Sequence, residues 1–377
     1  ASLGRLAATD ITSTIDLPPT HNAAVDGYGI SAKVLADNPS KAFKIVGAAR
    51  AGHPFVGAIG VDEAIEIYTG AIMPDGPDCV AMHENCDRKG QSVVIRELLK
   101  AGSNMRPPGE NLAKGEKVIT KGQRITAALI GQLAAAGYER IAVQKSLKVG
   151  LLSTGDEIVE AGGSLESGQV YDSNRPMMRA LLADPMLSLS DHGIVPDKLS
   201  ALTSAYEEML TTNDVVISSG GASDGIEDHT QAAMQAVGAD CAFWRLAMKP
   251  GRPMAVGKKG KKLIFCLPGN PVAAFVCTKL LILPLLTYLG GGVMTMPLKF
   301  SVPAGFSHKK AAGRAEYLRA TISDGMGDQE IKLHGRKGAG VISSLTGADG
   351  LVEIPLENDG VEPGMPLAFL PFADRAL

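Results

Sequence analysis

The 377 residues carry 37 Lys and Arg against 40 Asp and Glu, a net charge of −3, with 45% hydrophobic and 20% charged residues. That balance belongs to a folded chain of several domains; it excludes wholesale disorder and argues against a broadly nucleic-acid- or membrane-binding surface. Five cysteines without a C-x-x-C pair argue against a zinc knuckle or a disulfide framework and fit a reducing, cytoplasmic compartment.

Residues 17–121 show short alternating runs, such as Ala64 to Tyr68 and Val93 to Ile95, broken by turns like Pro74-Asp75-Gly76-Pro77. That texture predicts small β modules. Thr126 to Gly137 reads as a helix with Thr126 as its N-cap and Gly137 as its stop. From Leu147 the texture changes. Val149 to Ser153 is a buried strand that ends in the loop Thr154-Gly155-Asp156-Glu157. Asn174 is placed to cap a helix carrying Pro176 in its first turn. Asp214 to Ser218 and Leu263 to Leu267 are further strands, each followed by a Gly- or Pro-rich loop. Strand, small-residue loop and helix in repetition predict a parallel sheet with helices on both faces, whose ligands bind at the strands' carboxyl ends. The apolar window Phe275 to Leu289 holds Lys279 and Pro284 and reads as a buried helix too short to span a bilayer. After Gly290 to Gly292, five short strand-like runs between Leu298 and Leu370 predict a compact β-barrel or sandwich.

The segment 218–228, SSGGASDGIED, follows a buried strand. Its glycines let backbone N–H groups face an anion, and Asp224, Glu227 and Asp228 beside them suit a divalent cation bridging protein and phosphate. The same acids also match a helix N-terminal dipole, so spacing alone leaves both readings open. Arg245, Lys249 and Arg252 surround a Pro-Gly turn. They suit an oxyanion or, equally, a solvated turn. Pro268-Gly269-Asn270-Pro271 is a stiff loop between strand and helix, and the acids of 154–157 suit a metal, a ligand hydroxyl or a helix cap. No P-loop, H-E-x-x-H or G-x-S-x-G motif occurs.

Taken in order, NAAVDGYGI (22–30), YTGAIMPDG (68–76), NMRPPGENL (104–112), STGDEIV (153–159), VYDSNRPMM (170–178), VVISSGGASDGIED (215–228), WRLAMKPGRPMAVG (244–257) and FCLPGNPVAA (265–274) resemble the MoeA/gephyrin E-domain family. GRAEYLRA (313–320) and SSLTGADGLVEIP (343–355) resemble its C-terminal domain. The resemblance implies a multidomain α/β and β architecture. Its parts are a linker domain (1–16 plus 119–145), an inserted small β domain (17–118), an α/β molybdopterin-binding domain (146–291) and a C-terminal β-barrel (292–377). It further implies a homodimer whose active cleft is shared by two subunits, so that Asp26 would act with the distant Asp228.

The implied reaction inserts molybdate into adenylyl-molybdopterin and releases AMP with the help of Mg²⁺. Position by position, the resemblance assigns catalytic roles to Asp26, Glu157, Asp228, Arg245 and Lys249, with Glu157 and Asp228 as metal ligands. It assigns substrate contacts to Thr69, Gly70, Arg106, Thr154, Gly155, Asp172, Ser219, Gly220, Gly221, Ser223, Gly225, Arg252 and the loop Pro268, Gly269, Asn270, Pro271. Arg245 and Arg252 stand where the family commonly has Lys, keeping the charge with a different geometry. A partner adenylyltransferase is also implied, whereas nucleic acid and membrane are not. Two alternative readings are a catalytically lapsed scaffold and a molybdopterin adenylyltransferase, and nothing in the sequence separates molybdate from tungstate.

Overall fold

The computed structural model describes residues 2–221, 229–323 and 329–372, with backbone alone at 242–244. It divides into two compact units: one holds residues 9–121 and 125–142, the other residues 1–8, 122–124 and 143–377.

The unit of residues 9–121 and 125–142 is built on a six-stranded mixed sheet of β1 (Gly27–Ile30), β2 (Ala42–Ala49), β3 (Glu63–Ile67), β4 (Cys79–Met82), β5 (Cys86–Lys89) and β6 (Ser92–Ile95), in the order β4-β1-β3-β2-β6-β5. Ile30, Phe43, Ala64, Cys79 and Val93 fill the core on one side, and Ala49, Ile65, Ile67 and Val80 fill it on the other. That division is what period-two alternation requires. Helix α1 (Ala127–Ala135) starts where the sequence places it, with the Thr126 hydroxyl accepting from the Leu129 N–H.

The larger unit contains a second six-stranded sheet. Its strands are β7 (Leu147–Thr154), β8 (Leu187–Val195), β9 (Val215–Ser219), β10 (Asp240–Arg245), β12 (Pro253–Lys259) and β13 (Lys262–Leu267), ordered β8-β7-β9-β13-β12-β10; the two-residue strand β11 (Met248–Lys249) belongs to another sheet. Strands β8, β7, β9 and β13 are parallel, as the loop–helix rhythm requires, whereas β12 runs antiparallel to both of its neighbours, β13 and β10, so that β10 again points the same way as the first four. The expectation of an all-parallel sheet is thus corrected to a mixed one. The reason is local: the Lys258 to Lys262 turn is a tight hairpin, which can join only antiparallel strands.

Helices cover both faces. Val149, Leu151, Val215, Ile217, Phe265 and Leu267 pack beneath α2 (Asn174–Leu181) and the helix that begins with α5 (Pro271–Cys277). Leu152, Val216, Ile264 and Cys266 face the opposite way, under α3 (Leu199–Thr212) and α4 (Thr230–Ala236). The α5 helix continues to Leu289, and its 19 residues are long and apolar enough to cross a membrane, which corrects the view that it is too short. It nonetheless serves as a core element, with Val272 through Cys277 all buried.

Beyond it lies a mainly antiparallel sheet of β14 (Phe300–Pro303), β15 (Ala315–Ile322), β16 (Ile331–Leu333), β17 (Gly350–Ile354) and β18 (Pro366–Pro371). Its order is β11-β15-β17-β18-β14, and β16 adds to β15. A single parallel bridge from Ala304 to Ile331 joins its ends. One bridge is less than the continuous ladder of the expected barrel.

Candidate functional site

Three parallel strands deliver their carboxyl ends side by side: β7 at Thr154, β9 at Ser219 and β13 at Leu267. Because β12 is antiparallel, its first residue, Pro253, lies at the same edge, and Arg245 at the end of β10 pairs with Pro253. The sequence-assigned loops around 154, 219, 252 and 268 therefore share one edge of one sheet. From β7 to β10 this edge spans four strand spacings, about 19 Å.

Along it the backbone is packed too closely for side chains. Gly220 has φ +95°, and a Cβ there would stand 2.0 Å from the Thr154 carbonyl oxygen; at Gly221, φ +66°, it would meet the Thr230 hydroxyl at 2.2 Å. The Gly220 N–H donates to the Leu267 carbonyl. Asn174 ties the loops together: its buried Nδ2 donates to Ser219 Oγ and to the Gly269 carbonyl, both at 2.7 Å. Its Oδ1, Ser153 Oγ and Thr154 Oγ1 are all buried without a hydrogen-bond partner among the described residues. Buried polar atoms left open at a strand edge point to a ligand that completes them.

Asn174 does not cap its helix as the sequence suggests. It is the first helical residue, and Asp172 does the capping, with Oδ1 accepting from the N–H groups of Asn174 and Arg175. Asp172 also pairs with Arg175, whose guanidinium reaches Asp191 and Glu160 as well. The Asp172 and Arg175 side chains are 3% and 7% exposed, so Asp172 faces inward, into this ion network, and its assigned substrate contact finds no support in its position.

Pro268 is buried, Gly269 and Asn270 are exposed, and Pro271 opens α5 at its first helical position. Glu157 is exposed above the Gly155 turn, and its carboxylate has no hydrogen-bond or ion-pair partner among the described residues. No group of three or more His, Cys, Asp and Glu placed to hold a metal occurs among the described residues. Asp228, Ser223 and Gly225 lie outside them.

The cations fall into two hollows. Arg245 and Arg252 line one of about 350 Å³ together with Arg314. Lys249 lines another, of about 360 Å³, with His308, Glu316, Arg319, His334 and Arg336. Arg319 is buried, and neutral oxygens hold it: Ser344 Oγ at 2.8 Å and the Arg336 carbonyl at 3.0 Å. Burial without a carboxylate partner pushes its pKa down. Glu316 shares its two oxygens between Lys249 Nζ, 3.0 Å, and His308 Nε2, 2.8 Å. Burial alone would raise the Glu316 pKa, but those two donors outweigh it and hold it below the ordinary value. The sequence reading missed Asn174, Arg319, Glu316 and His308 as site residues, although the first three lie in stretches it singled out.

In the other unit, Asp26 is exposed at the start of β1 and accepts both the N–H and the hydroxyl of Thr69, each at 2.7 Å. Those two bonds hold its pKa below the usual carboxylate value. Thr69, Gly70 and Arg106 line one hollow of about 530 Å³, with Asn22, Glu110 and Asn111. Arg106 stands 4.0 Å from Glu110.

Open polar atoms among the described residues at one end of a sheet edge, with the guanidinium groups of Arg245 and Arg252 at the other, are features of an α/β protein that binds a small anionic molecule. Three family profiles run through the chain: MoeA N-terminal region (domain I and II) over residues 1–137, probable molybdopterin binding domain over 150–288, and MoeA C-terminal region (domain IV) over 301–372. The molybdopterin molybdenumtransferase of Haemophilus influenzae is 35% identical over 371 residues, covering 98% of this chain and 91% of that one. Two solved structures of the molybdopterin biosynthesis MoeA protein of Pyrococcus horikoshii superpose with TM-scores of 0.78 and 0.85, at 29% and 25% identity, each covering 98% of this chain and 92% of theirs. The chain belongs to the MoeA family, the molybdopterin molybdenumtransferases, and is a transferase of molybdenum cofactor biosynthesis.

Proposed function

We propose that the chain inserts molybdate into adenylylated molybdopterin and releases AMP, acting as a cytoplasmic homodimer. The observation that carries this reading is the sheet edge. Its open polar atoms Ser153 Oγ, Thr154 Oγ1 and Asn174 Oδ1 lie at one end, and Arg245 and Arg252 lie about 19 Å away. An elongated substrate with a neutral ring system and an anionic phosphate bridge matches that polarity. The cationic pocket of Lys249 and Arg319 suits a doubly charged tetrahedral oxyanion, because its buried guanidinium pairs with no carboxylate among the described residues.

Glu157 is an exposed hard-oxygen donor at a strand's carboxyl end and suits Mg²⁺, with Asp228 as the implied second ligand. A cation there would offset negative charge at the scissile phosphate. The chain's own residues bind and orient. Gly220 and Gly221 let the β9 loop pack against Thr154 and Thr230 at the sheet edge, Lys249 and Arg319 hold the oxyanion, and Asp26 presents an ionised carboxylate.

The test is AMP release from adenylyl-molybdopterin with Mg²⁺, with and without molybdate. Molybdate-dependent release, with a product that reactivates an apo-molybdoenzyme, is expected. ATP consumption without molybdate would indicate the adenylyltransferase reading, and substrate binding without AMP would indicate a scaffold.

A further inference from the structure

Lys249 has a 62% exposed side chain on a four-carbon stem, the kind of group that ordinarily wanders through many rotamers. Here it does not stand alone. In the parallel ladder between β11 and β15, Lys249 is the direct partner of Glu316, so both side chains rise at one place. The Glu316 carboxylate that grips Lys249 is itself only 8% exposed, and its second oxygen is taken by His308 Nε2 at 2.8 Å. Fixed at both oxygens, it cannot swing away with the lysine. Glu316 is also the sole carboxylate among the described residues that line the pocket, where Lys249, Arg319, Arg336 and Lys337 supply positive charge.

We infer that Glu316 is a positioning residue for Lys249, that His308 fixes Glu316 in turn, and that the C-terminal sheet thereby sets where a catalytic ammonium of the α/β lobe stands. The inference rests on the reading that Lys249 handles the oxyanion. Glu316 touches no substrate in this scheme. It trades oxyanion affinity for a defined ammonium position, since its negative charge opposes the dianion while its grip orders the lysine.

That trade gives a signature a merely structural residue lacks. In Glu316→Gln the shape is kept and the charge is lost. Molybdate, titrated calorimetrically into the purified full chain, should bind roughly threefold to tenfold more tightly, because one opposing charge near a dianion is gone. Turnover should nonetheless fall about tenfold or more, because the lysine is released. Loosening of the fold would weaken binding and turnover together. His308→Ala should lower turnover, and His308→Gln, which keeps a donor for Glu316, should recover most of that loss. A parallel fall of affinity and turnover in Glu316→Gln, or unchanged turnover in both Glu316→Gln and His308→Ala, would overturn the positioning role while leaving the proposed reaction intact. Failure of the wild-type chain to bind molybdate would instead remove the oxyanion reading, and this inference with it.

Discussion

Asp26 keeps its charge through one neighbour. Thr69 donates twice to the same carboxylate oxygen, and nothing in the fold shields Asp26 from water. Thr69→Val removes one of those donors and leaves the backbone N–H. The Asp26 pKa then moves up towards its ordinary value, since the lost bond favoured the ionised form. If activity requires ionised Asp26, the acid limb of the kcat/KM profile shifts to higher pH in Thr69→Val, while the alkaline limb stays in place. An unmoved acid limb would remove Asp26 as the group that titrates. At this scale the sequence is half legible. The DGY and TGA stretches mark Asp26 and Thr69 as site residues, but they lie 43 positions apart, and no spacing rule says that one donates to the other. The same holds for Lys249, whose partner Glu316 comes 67 residues later in the chain, with His308, which holds Glu316, 59 residues later. Periodicity reads a residue's own backbone state; it does not read which side chain a distant strand will bring beside it.

Among the elements, α2 shows how much of the site is held by a contact that resembles a ligand-binding one. Asp172 caps the helix through the Asn174 and Arg175 N–H groups and also pairs with the buried Arg175. It thereby sets the position of Asn174, the residue that joins the Ser219 and Gly269 loops. Asp172→Ala should destabilise the α/β lobe by about 2–3 kcal/mol, because two helix N–H groups lose their acceptor and a buried guanidinium loses one of its three acids. The expected readout is a midpoint lowered by several degrees for the thermal transition that unfolds this lobe. An unchanged midpoint, with a raised KM for the pterin substrate, would return Asp172 to the binding role that its motif suggested. Strands, loops and caps in this region are otherwise close to what the sequence dictates. The β7, β9 and β13 ends are marked by the small residues that follow them, and Thr126 caps α1 as its position requires. The direction of β12 is a different matter. A buried apolar strand reads alike in either direction, and only the short Gly260 hairpin reverses it.

For the molecule as a whole, two facts remain separate until an experiment joins them. Asp26 belongs to the compact unit of residues 9–121 and 125–142, and Lys249 belongs to the other. The resemblance implies that one reaction centre draws on both, from different subunits of a homodimer. If so, Asp26→Ala and Lys249→Ala are each inactive for different reasons, and each supplies what the other lacks. Mixing them under conditions that exchange subunits should then restore activity. With random pairing, half the dimers are mixed, and each mixed dimer carries one intact centre of two, so recovery should approach about a quarter of the wild-type rate. The exchanged sample should sediment as a dimer of the 39.2 kDa chain. If both residues acted within one subunit, mixed dimers would gain nothing, because each subunit would still carry its own lesion. No recovery, with dimer exchange confirmed by a tagged partner, would therefore reject a shared centre and place Asp26 and Lys249 within one chain's own site or in different steps.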